Sequence, residues 1–134
     1  MAVHLIRAAD LYGGVPYAYA SVAAVPSDEL VFTAGACPLD ENGNVVGDDV
    51  RAQAGQAVGN LTATLRAASA GLTDVLKTTI YVASADRSDL VAAWDVIRAA
   101  FGDHDAPSTL LGVTVLGYPG QLVEIEAVAA AGRR

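Results

Sequence analysis

A single cysteine, Cys37, occurs in the whole sequence, so no internal disulfide can form and a reducing, cytoplasmic setting is expected. The two histidines, His4 and His104, are too few for the common His-rich metal sites, and no Cys or His spacing suggests a metal. Basic residues are scarce too. Eight Lys and Arg against fifteen Asp and Glu give a formal net charge of -7, and only Arg133 and Arg134 adjoin. A nucleic-acid groove needs a basic stripe to neutralise phosphates, so no nucleic-acid partner is expected. Long apolar runs are missing as well. No window approaches the roughly 18 residues of a membrane span, and Arg7 and Asp10 interrupt the stretch where an export signal needs its apolar centre.

Charged residues make up 17% of the chain, below the roughly 25% of an ordinary domain. Aromatics supply only 6% of a composition that is 53% hydrophobic, so the core must be built from Ala, Val, Leu and Ile. So little polar surface coats a monomer poorly, which points to contact with another subunit. The length, with no repeat, linker or low-complexity tract, implies a single domain over residues 1–134.

Residues 2–7, 17–25 and 29–35 read as short strands, the first two separated by the LYGGVP turn. Asn42–Gly43 within the 41–44 turn is a hairpin signal. From Asp49 the apolar period lengthens. Val50, Ala54, Ala57, Val58, Leu61, Leu65 and Ala68 share one helical face, with Asp48 or Asp49 to cap the start and Gly71 to end the helix in a left-handed conformation. Residues 75–83 form a β-branched strand. A second helix runs from about Ser88 to Phe101, with Leu90, Trp94, Ile97 and Phe101 on one side and Gly102 at its end. Strands at 109–116 and 121–130 flank the turn Gly117–Gly120. The order is β-β-(β)-α-β-α-β-β, an α+β arrangement. Two helices cover only one face of such a sheet. VFTAG, TTIYVA, LLGVTV and LVEIEAVA carry apolar residues on both faces, so another copy of the sheet is expected to cover the second.

Four segments, in order across nearly the whole chain, carry a resemblance. They are VPYAYAS at 15–21; the run 32–82 with its S-G-x-x-P-x-D-x-x-G-like start, its helix bearing Gln53 and Asn60, and its D-V-x-K-x-T-x-Y/F-V-like strand; WDVIRAAFG at 94–102; and APSTLLGVTVL followed by QLVEIEAVA. Together they resemble the Rid family (the YjgF/YER057c/UK114 group). The resemblance implies a chorismate-mutase-like α+β fold with a mixed sheet and two helices on one face. It also implies a homotrimer around a central barrel, with small-molecule clefts between subunits. Studied relatives hydrolyse reactive enamines and imines to a 2-keto acid and ammonia and need no cofactor.

The same resemblance assigns candidate residues. Glu124 matches the first glutamate of the family's E-I-E strand, where it orients a water or exchanges a proton; the competing role is a salt bridge or hydrogen bond that fixes the trimer. Tyr17 matches a pocket tyrosine, against the alternative of a rim aromatic. Gly35 matches the glycine whose backbone approaches the ligand, against a plain turn requirement. In deaminating members an arginine of a P-A-R-[ST] segment holds the substrate carboxylate with its planar fork. Ser108 stands in that place, beside Thr109, so turnover of simple 2-imino acids is expected to be weak or absent. Trp94 stands where relatives often carry Asn, and reads either as a core or interface residue or as a bulky pocket wall. Cys37 has no histidine near it in sequence and is expected to be a buried, inert thiol. Asp40–Asn44 has its glycine in the wrong place for a calcium loop, and no phosphate loop or dinucleotide fingerprint is present. The alternative to a hydrolase is a non-catalytic ligand-binding or regulatory trimer.

Overall fold

The structure is a computed structural model describing residues 3–24 and 29–132. The Arg133–Arg134 pair, Ala2 at the start of the first expected strand and Val25 at the end of the second lie outside the described residues. Among the described residues, six strands and two α-helices run in the order β1 (His4–Ile6), β2 (Ala20–Val22), β3 (Glu29–Phe32), α1 (Val50–Ala67), β4 (Val75–Val82), α2 (Arg87–Phe101), β5 (Ser108–Gly112) and β6 (Val123–Ala131). The strands β1 and β2 pair antiparallel as a small ribbon. The others form one mixed sheet in the order β3-β6-β4-β5, parallel only between β4 and β5. Both helices lie on one face of that sheet, where Ala54, Ala57, Leu61, Leu65, Ile97 and Phe101 pack with Ile80, Val82, Val123 and Ile125.

Local chemistry explains the ends of these elements. The Asp49 side chain accepts from the Ala52 N–H and caps α1, and Asp86 does the same for α2 through Ser88. Gly43 (φ +83) closes the expected turn, with Asp40 accepting from the N–H groups of Asn42 and Asn44. The expected end of α1 is corrected. Gly71 is extended at φ -133, and Ser69 takes the left-handed position at φ 61. The N–H groups of Ser69 and Ala70 reach back to Arg66 O and Leu65 O, a complete helix-ending motif two residues earlier than glycine placement suggests.

Three expected strands are shorter than their apolar runs. Residues 17–19 are not strand, because Ala18 N–H bonds to Asp105 O and the Tyr17 carbonyl accepts from Arg7. Of the 29–35 run, only Glu29–Phe32 is strand, followed by a lone bridge from Ala36 to Ile125. Past Gly112 the chain leaves the sheet, because its partner β4 has already ended at Val82.

The face of the sheet away from the helices is apolar at its margin, not at its centre. Leu30, Phe32 and Leu111 are exposed there, Phe32 by 72%. Across the middle, Lys77, Thr79 and Tyr81 of β4 stand opposite Val128, Glu126 and Glu124 of β6. The strand β4 reaches this arrangement through a bulge between Val75 and Lys77. Val75 is buried toward the helices. The extra residue reverses the alternation, so Thr78, Ile80 and Val82 continue the core while Lys77 turns outward.

Candidate functional site

The helix α1 sets the positions of two loops. Gln53 and Asn60 are seven residues apart, two helical turns, and so share one side of α1. The Asn60 side-chain amide donates to the carbonyls of Cys37 and Leu39, both at 2.8 Å. The buried Gln53 donates to Gly47 O and Gly120 O and accepts the Leu122 N–H at 2.6 Å. One helix therefore holds both the segment after β3 and the turn before β6. Between these segments stands Glu124.

The Glu124 carboxylate is half-buried and well supplied with donors. Its Oε1 accepts from the Cys37 thiol at 3.2 Å and from the Gln121 amide at 3.1 Å. Its Oε2 lies against Gly35, where a Cβ would collide with it. Among the described residues no side chain donates to Oε2, which leaves that oxygen for a water or a ligand. Burial first, then the hydrogen bond to Glu124 and its charge, pushes the Cys37 thiol above its usual range. The neighbouring Glu126 accepts from the Tyr81 hydroxyl at 2.5 Å, and that bond is the main reason the tyrosine holds its proton more tightly than usual. Both carboxylates lie on the same sheet face, and both are half-buried.

Tyr17, Trp94, Ser108 and Thr109 assemble elsewhere. The rings of Tyr17 and Trp94 meet edge to face at 6.5 Å. With Pro16, Ser108 and Leu110 they line a recess of about 140 Å³. Trp94 packs partly against the core as well. Ser108 points to the helix side, as does Thr78 opposite it. It shares a hydrogen bond with the Thr78 hydroxyl and donates to Ala106 O, so its one proton has an acceptor within the chain. Thr109 points to the other face, where it accepts from Lys77. Ser108 and Thr109 also border a larger cleft of about 470 Å³ between residues 17–21 and the starts of β4 and β5. The 17–21 segment is held over it by Arg7 donating to Tyr17 O, by the Ala18 N–H donating to Asp105 O and by Ser21 donating to Leu76 O.

The candidate residues therefore form two groups within one chain. Gly35 and Glu124 belong to one, with Cys37 and Gln121 added; Tyr17, Trp94, Ser108 and Thr109 belong to the other, with Lys77 added. From the strand spacing and rise, about 12 Å separates the Cα atoms of Thr109 and Glu124. Sequence reasoning passed over Lys77, Gln121 and the contact of Cys37 with Glu124. For Gln121 the parity of the QLVEIE run offered no signal, because it acts from the turn before the strand.

Among the described residues, no helix is long and apolar enough to cross a membrane. The family described as endoribonuclease L-PSP matches residues 15–131. The chain is 34% identical over 110 residues to the 2-iminobutanoate/2-iminopropanoate deaminase of Salmonella typhimurium, covering 81% of this chain and 84% of that one. The Rid-family protein YyfB of Yersinia pestis, described as of unknown function, superposes with a TM-score of 0.86 at 32% identity, over 96% of this chain and 98% of that one. Rv2704 of Mycobacterium tuberculosis, of the YjgF/YER057c/UK114 family, superposes with a TM-score of 0.65 at 32% identity and the same coverage. Two helices on one side of a mixed sheet are thus the fold shared with these structures, and the chain belongs to the Rid (YjgF/YER057c/UK114) family.

Proposed function

We propose that this protein is a homotrimeric hydrolase of small reactive imines or enamines, with Glu124 as the group that moves the proton. The observation that carries the reading is the Glu124 carboxylate, held by Cys37 and Gln121 through one oxygen and open at the other. Water is a poor nucleophile until a base takes its proton. In the proposed cycle Glu124 accepts that proton as water adds to the imine carbon. It returns that proton to nitrogen to complete the carbinolamine, then takes the carbinolamine hydroxyl proton and passes it to nitrogen, so that the C–N bond breaks, the C=O bond forms and ammonia leaves.

The two residue groups argue for subunit sharing. One chain keeps Glu124 and the Tyr17–Thr109 cleft apart, and a second copy brought against the face carrying Leu30, Phe32 and Leu111 would cover exposed apolar surface. The named activity of the Salmonella relative supports an imine substrate. Ser108, which has no charge and whose proton is already engaged, argues against tight binding of simple 2-imino acids in the manner of an arginine-bearing relative. That same engagement of Ser108 favours the second reading, a non-catalytic ligand-binding trimer.

The deciding experiment generates 2-imino acids in situ with an amino-acid oxidase and traps the remainder with semicarbazide. Wild type is compared with Glu124→Ala and Ser108→Arg. Weak wild-type turnover, abolished in Glu124→Ala and raised in Ser108→Arg, supports the hydrolase. Ligand binding with no turnover in any variant or on any imine sinks it in favour of the binding protein.

A further inference from the structure

The proposed cycle leaves one charged group without a task. Lys77 borders the 470 Å³ cleft together with Tyr17, Ser21, Pro107 and Thr109. Its ammonium donates to Thr109 Oγ1 at 2.6 Å and to Thr78 O at 3.0 Å. An ammonium has three hydrogens, so one donor and the whole charge remain. Among the described residues the only ion pairs join Arg7 and Arg98 to Asp105, and none involves Lys77. The glutamate across the sheet from its neighbour Thr79 is Glu126, which is already engaged by Tyr81.

A purely structural lysine would be expected to lie in water or beside a carboxylate. Lys77 does neither. It is half-buried, two uncharged oxygens hold it in place, and burial lowers its proton affinity. The bulge at Leu76 is what aims it here: without the extra residue, strand alternation from Val75 would send Lys77 into the core. Such bulges often re-aim a side chain beside a binding site.

We infer that Lys77 is the anion anchor of the cleft, binding the carboxylate of a small carbonyl compound whose body packs on Tyr17 and Pro107. The inference rests on reading the cleft as a ligand site and adds the position of its charge: on β4, one strand away from Ser108. A lysine is a compact point charge, without the two-pronged fit of a guanidinium. The site therefore accepts a carboxylate in several orientations. The open cleft, about 470 Å³, also has room for a body larger than that of the shortest 2-imino acids.

The test reads binding and not turnover. Sodium 2-oxobutanoate and its uncharged counterpart 2-butanone are titrated by NMR into the full-length wild type, Lys77→Met and Lys77→Arg, with circular dichroism confirming folding. The keto acid is expected to bind wild type and to lose about 10-fold or more in affinity in Lys77→Met, the usual weight of a charged hydrogen bond. Lys77→Arg should keep most of the affinity, and 2-butanone should not distinguish the variants. Equal binding of the keto acid by wild type and Lys77→Met overturns the inference. So does an equal loss for both probes, which would make the lysine a matter of shape, or no wild-type binding at all. Lys77→Gln replaces the methionine variant if that one does not fold. A protein that binds through Lys77 yet hydrolyses no imine removes the hydrolase reading alone, and one that hydrolyses imines without need of Lys77 removes this inference alone.

Discussion

Gly35 has no side chain because the Glu124 carboxylate fills the space: a Cβ there would come within 2.6 Å of the carboxylate carbon and nearer still to Oε2. The obstacle is the free end of a flexible side chain, so the carboxylate gives way and the fold does not. Gly35→Ala should therefore fold normally and displace the proposed base. Loss of a positioned general base costs about 100-fold or more. Imine hydrolysis in Gly35→Ala should fall to the level of Glu124→Ala, and the double variant should be no worse than either. Full turnover in Gly35→Ala would mean that Glu124 does not act from this position.

The Cys37 thiol gives a second view of the same carboxylate. Burial raises its proton affinity first, and the hydrogen bond and charge of Glu124 raise it further. Only the thiolate is alkylated, so iodoacetamide should react slowly with the wild type at pH 8. Glu124→Gln removes the charge, enlarges the thiolate fraction and should speed alkylation by about 3- to 10-fold. The alkaline rise of the rate profile moves to lower pH accordingly. Identical profiles would separate the two groups in solution.

Most of this architecture was readable as periodicity. The face of α1 running from Val50 to Leu65 and the alternation from Val123 to Ala129 are set by burial on one side only, so the sequence states them directly. The site was legible as residue types but not as two groups. Ser108 and Thr109 are neighbours on one strand and so point to opposite faces, and only the pairing of Ser108 with Thr78 shows which goes where. Lys77 stayed hidden for a related reason. Strand parity counted from Val75 puts it inside, and nothing in VLKTTIYV marks the bulge that reverses the count. Cys37 reads as inert from its neighbours in sequence alone, whereas its partner Glu124 is 87 residues away.

Lys77 also predicts a pH dependence. In the unfolded chain it holds its proton to about 10.5, and burial in the fold lowers that value. Between the folded and unfolded values the unfolded chain binds more protons, so stability rises with pH across that window. Below the window the charged lysine costs the fold stability, as binding sites commonly do. Lys77→Met should therefore melt no lower than wild type at pH 7 and should lack the alkaline gain. Keto-acid affinity should fall as pH climbs through the lowered value. Melting curves from pH 7 to 10.5 check the first point, and a clear drop in Tm for Lys77→Met at pH 7 would contradict the desolvation account.

The end of α1 offers a test free of any functional reading. Ser69 adopts φ 61, a conformation that costs a residue with a Cβ about 1 kcal/mol relative to glycine. Ser69→Gly should raise stability by about that amount, or roughly 4 °C in Tm for a chain of this size. Gly71, where glycine is not needed, is extended at φ -133, and a Cβ there meets nothing within 4 Å. Gly71→Ala should stabilise by about 0.4–1 kcal/mol by restricting the unfolded chain. If Gly71 were instead the left-handed residue that its position after the helix suggests, alanine there would be strained and Tm would fall. The sign of the Gly71→Ala shift therefore decides which of the two residues ends the helix.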